Sequence, residues 1–373
     1  MSFFTTEVAD KQGKSVIFIE PSINFRKEYK IKAHVDTVNL RVLLDRKTQH
    51  QHLRAKLHQC INERTTDEIT KVYTRATNGN SNQGATGWVI KIEDPTAKEV
   101  RDAIESIRTT WGLSEHVTIE RLDVALDFPL KGPNELKKRT HLMRTLAACT
   151  AGPVHLRNQH SSNWSLWNPR IFHAASSAEH KKNIAAIKSN TSLSDNFRQE
   201  AIKDIENEKK QATTSARFAL LTDKFTAGGD HTLYWGNKER TFYKLYDKVT
   251  VTDPFVRFEV SLFGEDLHAL GLIKADDLFL FDFHKLLKDG YLKFHLPAVP
   301  AASAGETIQN DSGEVIVHCG WNKEMAGLIL KQGFTGAIGF AGQKGSKPSR
   351  TYTELNNVIC EKLGTLSGHW GKC

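Results

Sequence analysis

The 373 residues contain no C-x-x-C pair, and the five cysteines, Cys60, Cys149, Cys319, Cys360 and Cys373, are odd in number and widely spaced. That spacing argues against a zinc ribbon or a disulfide framework and predicts free thiols. No apolar run approaches the roughly 18 residues of a membrane-spanning helix. The opening M-S-F-F-T-T-E-V-A-D-K-Q-G-K lacks the apolar centre of a secretion signal. The expectation is a cytoplasmic protein with no membrane attachment. No internal repeat of fixed period occurs. Acidic residues are the minority, 43 against 51 Lys and Arg, for a formal net charge of +8. That excess favours a polyanionic partner without demanding one.

What is present is ordinary in bulk: 39% apolar and 25% charged residues, as in a globular chain. The length suits two domains, or one large domain with insertions. The stretch of greatest interest is residues 117–128, V-T-I-E-R-L-D-V-A-L-D-F. Leu122, Val124, Leu126 and Phe128 alternate with Arg121, Asp123, Ala125 and Asp127. Period-2 alternation predicts a strand with one face in a core and the other, carrying two carboxylates and a guanidinium, open to water.

In chain order, residues 1–30 read as an arm or edge strand. A strand at 31–44, a helix at 48–63 with Leu53, Leu57 and Ile61 at helical spacing, and a strand at 69–77 follow. A Gly/Asn-rich hairpin connection leads to a strand at 88–93. Asp94-Pro95 is expected to open a helix, Asp as N-cap, with Val100, Ile104, Ile107 and Trp111 on one face. The order β-α-β-β-α-β is that of a split βαβ, or ferredoxin-like, unit. Residues 31–150 therefore form a first half, with a further helix at about 134–149. Residues 151–215 read as a loop and a charged helical insertion, and 216–296 as a second β-rich half. A linker at 297–313 and a small helical C-terminal region at 314–373, with helices at 321–332 and 352–364, complete the chain. The fold class is α+β with an antiparallel sheet.

The later strands repeat the pattern. In 255–263, Val256, Phe258, Val260 and Leu262 are apolar, so Arg257, Glu259 and Ser261 share the other face. In 241–248, Phe242, Lys244, Tyr246 and Lys248 share a face, which sets Tyr246 between two lysines. If the two halves share one sheet, these side chains converge with Asp123 and Asp127. Such a group has a definite chemistry. Carboxylates bind Mg²⁺ or Mn²⁺ and leave positions open for phosphate. A tyrosine oxygen then attacks phosphorus, and Lys244 and Lys248 favour the phenolate. The bland alternative is a solvated strand face in which Arg121 or Arg257 pairs with the aspartates. On that reading Glu259 is a cross-strand partner of Arg121, and Tyr234 and Tyr243 compete with Tyr246 for any role.

R-L-D-V-A-L-D-F (121–128), Y-K-L-Y-D-K (243–248) and R-F-E-V-S-L (257–262), in that order, resemble the rolling-circle replication initiators of small plasmids and filamentous phages. T-L-Y-W-G (232–236) is similar to an element of the plasmid branch. The resemblance covers roughly 117–295 and implies a Rep nuclease-like core with Tyr246 as nucleophile. It implies Asp123 and Glu259, with Asp127 as a third, as ligands of Mg²⁺ or Mn²⁺. Arg121 and Arg257 become DNA or phosphate contacts, and Tyr243 an alternative tyrosine. The implied activity is nicking of one strand at an origin, leaving a 5′-phosphotyrosine link and a 3′-OH primer. The implied partners are origin DNA, a host helicase and polymerase, and a second copy of the chain in a homodimer. One departure stands out: the chain has no pair of histidines flanking a single apolar residue, so metal binding rests on carboxylates, with His155 or His160 as a candidate helper that otherwise reads as a surface histidine. A non-catalytic DNA-binding initiator or repressor, a mobilisation relaxase, and a nuclease using water remain as alternatives.

Overall fold

The computed structural model describes residues 3–9, 15–61, 71–79, 83–150, 170–173, 231–237, 239–248, 253–296, 298–300, 307–309, 315–318 and 350–371, with single positions 185 and 199. The N-terminal segment is a hairpin of β1 (Phe3–Ala9) and β2 (Ser15–Pro21), followed by the single turn α1 (Phe25–Glu28). Next come β3 (Lys32–Thr48), α2 (His50–Ile61), β4 (Val72–Ala76), β5 (Ala85–Glu93), α3 (Ala97–Trp111) and β6 (Thr118–Phe128). After α4 (Leu136–Cys149) the described strands are β7 (Arg170–His173), β8 (His231–Gly236), β9 (Thr241–Lys248) and β10 (Phe255–Phe263). The expected helices at 174–212 and 321–332, with His155 and His160, lie outside the described residues, as does most of 297–313.

Eight strands form one sheet in the order β4-β5-β3-β6-β10-β9-β8-β7, every neighbouring pair antiparallel. The first four strands in that order are those of the β-α-β-β-α-β unit, with β5 inserted between β4 and β3. This is the split βαβ arrangement expected from the sequence. The fold is α+β. The two β-rich halves share a single sheet, because β10 pairs along β6 although Arg257 and Asp127 are 130 positions apart.

The helices pack against the sheet to enclose one continuous apolar core. Leu53, Leu57 and Ile61 of α2 meet Val100, Ile104 and Ile107 of α3 there, and Leu122, Val124, Leu126 and Phe128 of β6 face into it. Each such side chain contributes about 1.5–3 kcal/mol by leaving water. Three short helices, α5 (Gly264–Leu270), α6 (Ala275–Phe279) and α7 (His284–Lys288), follow β10. The last helix, α8 (Thr353–Gly371), runs seven residues beyond the expected end at 364, because Leu366 and Trp370 continue its buried stripe. No helix among the described residues is long and apolar enough to cross a membrane. Cys60, Cys149 and Cys360 are free thiols.

Two expectations are corrected. Asp94-Pro95 does not cap α3. Thr96 does, in a capping box with Glu99, while Asp94 turns the corner at φ +46° and gives its backbone N–H to Asp36 O at 2.7 Å. The polar face of β6 is not open to water either: Asp123 and Ala125 are 0% exposed and Glu259 2%. Both central strands have neighbours on each side, and the long side chains of that face turn inward to bond the carboxylates.

Candidate active site: a buried layer of carboxylates and cations

Register places the polar residues in rows across the sheet. One row runs Tyr234, Lys244, Glu259, Ala125 and His34, from β8 to β3. The row on one side is Phe242, Ser261, Asp123 and Thr37, and on the other Thr232, Tyr246, Arg257, Asp127 and Lys32. Ala125, the smallest side chain of the layer, stands at its centre with acids around it.

The fourth acid of the group, Asp36, was missed by the sequence reading, and β3 explains why. Its buried apolar positions are odd at Val35 and even at Val38, Leu40, Val42 and Leu44. A regular pleat cannot change parity. Val35 faces Val124 and Thr37 faces Asp123, so Asp36 is the extra residue of a β-bulge, turned toward the polar face. A second bulge in β6 leaves Glu120 unpaired between Arg121 and Ile119, and Glu120 bonds Arg41 at 2.6 Å. The parity switch after Val35 was the signal in the sequence.

Each acid has a cationic partner. Arg121 forks onto Asp123, with Nε 2.7 Å from Oδ1, and lies 5.3 Å from the Phe263 ring centroid. Arg257 forks onto Asp127 at 2.6 and 2.8 Å and reaches Asp36 with its third nitrogen at 2.6 Å. Lys244 Nζ is 2.7 Å from Glu259 Oε2 and 3.7 Å from Asp123 Oδ2. The Tyr246 hydroxyl donates to Glu259 Oε1. His34 stands 3.8 Å from Asp127 and 4.0 Å from Asp36.

These contacts set the protonation states. Burial disfavours the ionised form of Glu259, yet Lys244 and the hydrogen bonds from Lys244 and Tyr246 outweigh it and hold the carboxyl below its usual range. Asp36 is pushed up, first by burial and then by Glu259, with Asp123 adding to it. For Lys244, burial is outweighed by Glu259 and Asp123, and the ammonium is held charged. Tyr246 is raised, by burial foremost and by Glu259 next. The expectation that lysines favour a phenolate is therefore corrected: the ammonium of Lys244 serves the carboxylates, and the phenol keeps its proton.

The structure thus brings together Tyr246, Lys244, Asp123, Glu259 and Arg121, and adds Asp36. Carboxylate oxygens of Asp36, Asp123 and Glu259 lie within 4.8 Å of one another, a spacing and donor set that suit a hard divalent cation. Asp127 is outside that group, held in the fork of Arg257. Arg257 itself is buried, with its guanidinium bonded to Asp127 and Asp36, so it clamps β10 to β6 and β3. Lys248 lies further along the face, half-buried, opposite Phe255. Tyr243 is on the opposite face, fully buried, its hydroxyl donating to Tyr291 O at 2.9 Å, which removes it from the site. Asp247 shares that inner face and is held at 2.9 Å by the buried Arg139 of α4.

Comparison with known proteins adds no family. No family model matches the chain, and no curated protein does. A solved structure aligned to it is the class II 3-hydroxy-3-methylglutaryl-CoA reductase from Streptococcus pneumoniae bound to NADPH, 12% identical over 93% of this chain and 77% of that one, with a TM-score of 0.19. A likeness that slight carries no argument, and the reading of function rests on the site.

Proposed function

We propose that this chain is a rolling-circle replication initiator that nicks one strand of origin DNA through Tyr246. The observation that carries the reading is the hydrogen bond from the Tyr246 hydroxyl to Glu259, an acid grouped with Asp36 and Asp123 at cation-binding spacing. Mg²⁺ or Mn²⁺ held by those three carboxylates would withdraw charge from a phosphodiester. The chain's own groups supply the rest. Glu259 accepts the hydrogen bond that orients the Tyr246 hydroxyl, whose proton passes to solvent as its oxygen forms the bond to phosphorus. The P–O3′ bond breaks, leaving a 5′-phosphotyrosine and a 3′ oxygen that takes up a proton to become the primer hydroxyl. Arg121, half-buried at the rim, orients Asp123 and adds positive charge beside the phosphate. The excess of basic residues suits DNA as partner, with a helicase and polymerase acting on the product.

Incubation with supercoiled origin DNA and Mg²⁺, quenched in detergent, tests this directly. DNA-linked protein is expected from the wild type and not from Tyr246→Phe. An undiminished adduct in the variant removes the tyrosine from the role. A second reading, a metal-dependent nuclease using water, is favoured by the raised pKa of the phenol. It gives nicked DNA with a free 5′ end and no linked protein.

A further inference from the structure

The polar face contains a group that its own layer leaves unused. Ser261 is fully buried and its hydroxyl has no hydrogen-bond partner. It stands in register with Asp123 and shares a face with Glu259. Three carboxylates within 4.8 Å of one another, with an orphaned hydroxyl in register with one of them, are oxygen donors suited to a hard cation.

A cation already stands on part of that set. Lys244 Nζ lies 2.7 Å from Glu259 and 3.7 Å from Asp123, two of the three acids. An ammonium and a divalent ion bonded to the same two buried carboxylates repel each other strongly. Lysine can yield: its side chain is 22% exposed, and its flexible four-carbon stem carries a point charge that can be re-aimed. Arg121, forked onto both oxygens of Asp123, has less freedom to do so.

We infer that Lys244 is a resident counter-cation that a divalent ion must displace, and that the displaced ammonium then pairs with the phosphate entering beside the ion. The inference rests on the metal reading above and adds an order to it. The ion alone binds weakly because Lys244 opposes it. The ion and a phosphodiester bind cooperatively because the phosphate gives the ammonium a new partner, and this coupling is reciprocal. Lys244 is on this account a positioning residue that makes occupancy by metal depend on DNA.

Titration of Mn²⁺ into the full-length protein, followed by the resonance of the free ion, reads this without any cleavage. It is run with and without a short single-stranded oligonucleotide. Wild-type affinity for Mn²⁺ is expected to rise about ten-fold with the oligonucleotide, within the usual range of coupling between sites. Lys244→Met and Lys244→Gln are each expected to bind Mn²⁺ alone about ten-fold tighter and to lose the effect of DNA. Lys244→Arg keeps the charge and should keep both wild-type behaviours. Asp36→Asn should weaken the ion in every background, which places it at this cluster. Absence of coupling in the wild type overturns the inference, and this arm needs no variant. So do unchanged or weaker Mn²⁺ binding in folded Lys244→Met and Lys244→Gln, and indifference to Asp36→Asn. Tightened Mn²⁺ binding with no DNA-linked protein would uphold Lys244 and overturn the covalent tyrosine step; a Tyr246 adduct with unchanged Mn²⁺ affinity would do the reverse.

Discussion

Arg257 shows how finely the charges of the layer are balanced. One guanidinium holds Asp127 by two nitrogens and Asp36 by the third, joining β10, β6 and β3 beneath the surface. Two carboxylates so close to one another are tolerable in a buried layer only with that cation between them. Replacement by methionine keeps the bulk and removes the charge, and is expected to cost about 3–5 kcal/mol because it leaves acids buried without a counter-ion. Urea denaturation measures it. Adding Asp127→Asn to Arg257→Met should restore part of the loss, since the second change removes one of the orphaned charges. A double variant as unstable as the sum of the two singles would show that the pair is not coupled. The same residue marks a limit of sequence reading. Strand parity put Arg257 on the right face, but a free phosphate contact and a buried clamp look identical in one dimension.

Among the elements, those with one unbroken period were legible. Strands β6 and β10 alternate cleanly through the site, so Asp123, Asp127, Arg257 and Glu259 fell on one face as expected. Helix α3 was found from Val100, Ile104 and Ile107. Its start was misplaced because Asp-Pro is as good a corner as a cap, and only the φ of Asp94 distinguishes them. Thr96→Ala removes one side of the capping box and is expected to lower stability by about 1 kcal/mol, read as a modest fall in melting temperature with Mn²⁺ affinity unchanged. Asp36 escaped notice for a different reason: a bulge defeats any search for a period, and the parity switch has meaning only beside the partner strand. The covering of the polar face was illegible as well, since burial depends on how many strands flank β6, and those strands come from distant sequence.

At the scale of the molecule, the C-terminal helix seals the core that supports the sheet. Trp370 stacks on Phe279 with centroids 6.3 Å apart and tilts against Phe283, and Tyr352 just before α8 bonds Pro21 O at 3.2 Å. Asn356 bonds both backbone groups of Phe294, at 2.9 and 2.7 Å. Trp370→Ala is therefore expected to destabilise by about 3–5 kcal/mol, seen in the urea midpoint, although Trp370 belongs to no strand of the site. That long-range dependence was beyond sequence reading, which set the C-terminal region apart from the sheet.

The pairing of β6 with β10 also sets when the carboxylate group can exist. A chain still on the ribosome completes β6 at Phe128 and must extend to Phe263 before Glu259 can join Asp123 and Asp36. At about 5–20 residues per second that interval lasts on the order of ten seconds. During it β6 is the rim of a half-built sheet, with Asp123 and Asp127 as the charges that discourage pairing with a stranger's strand. Whatever chemistry the cluster performs must wait for β10, so a nascent chain that has not yet reached Phe263 carries Asp36 and Asp123 without Glu259.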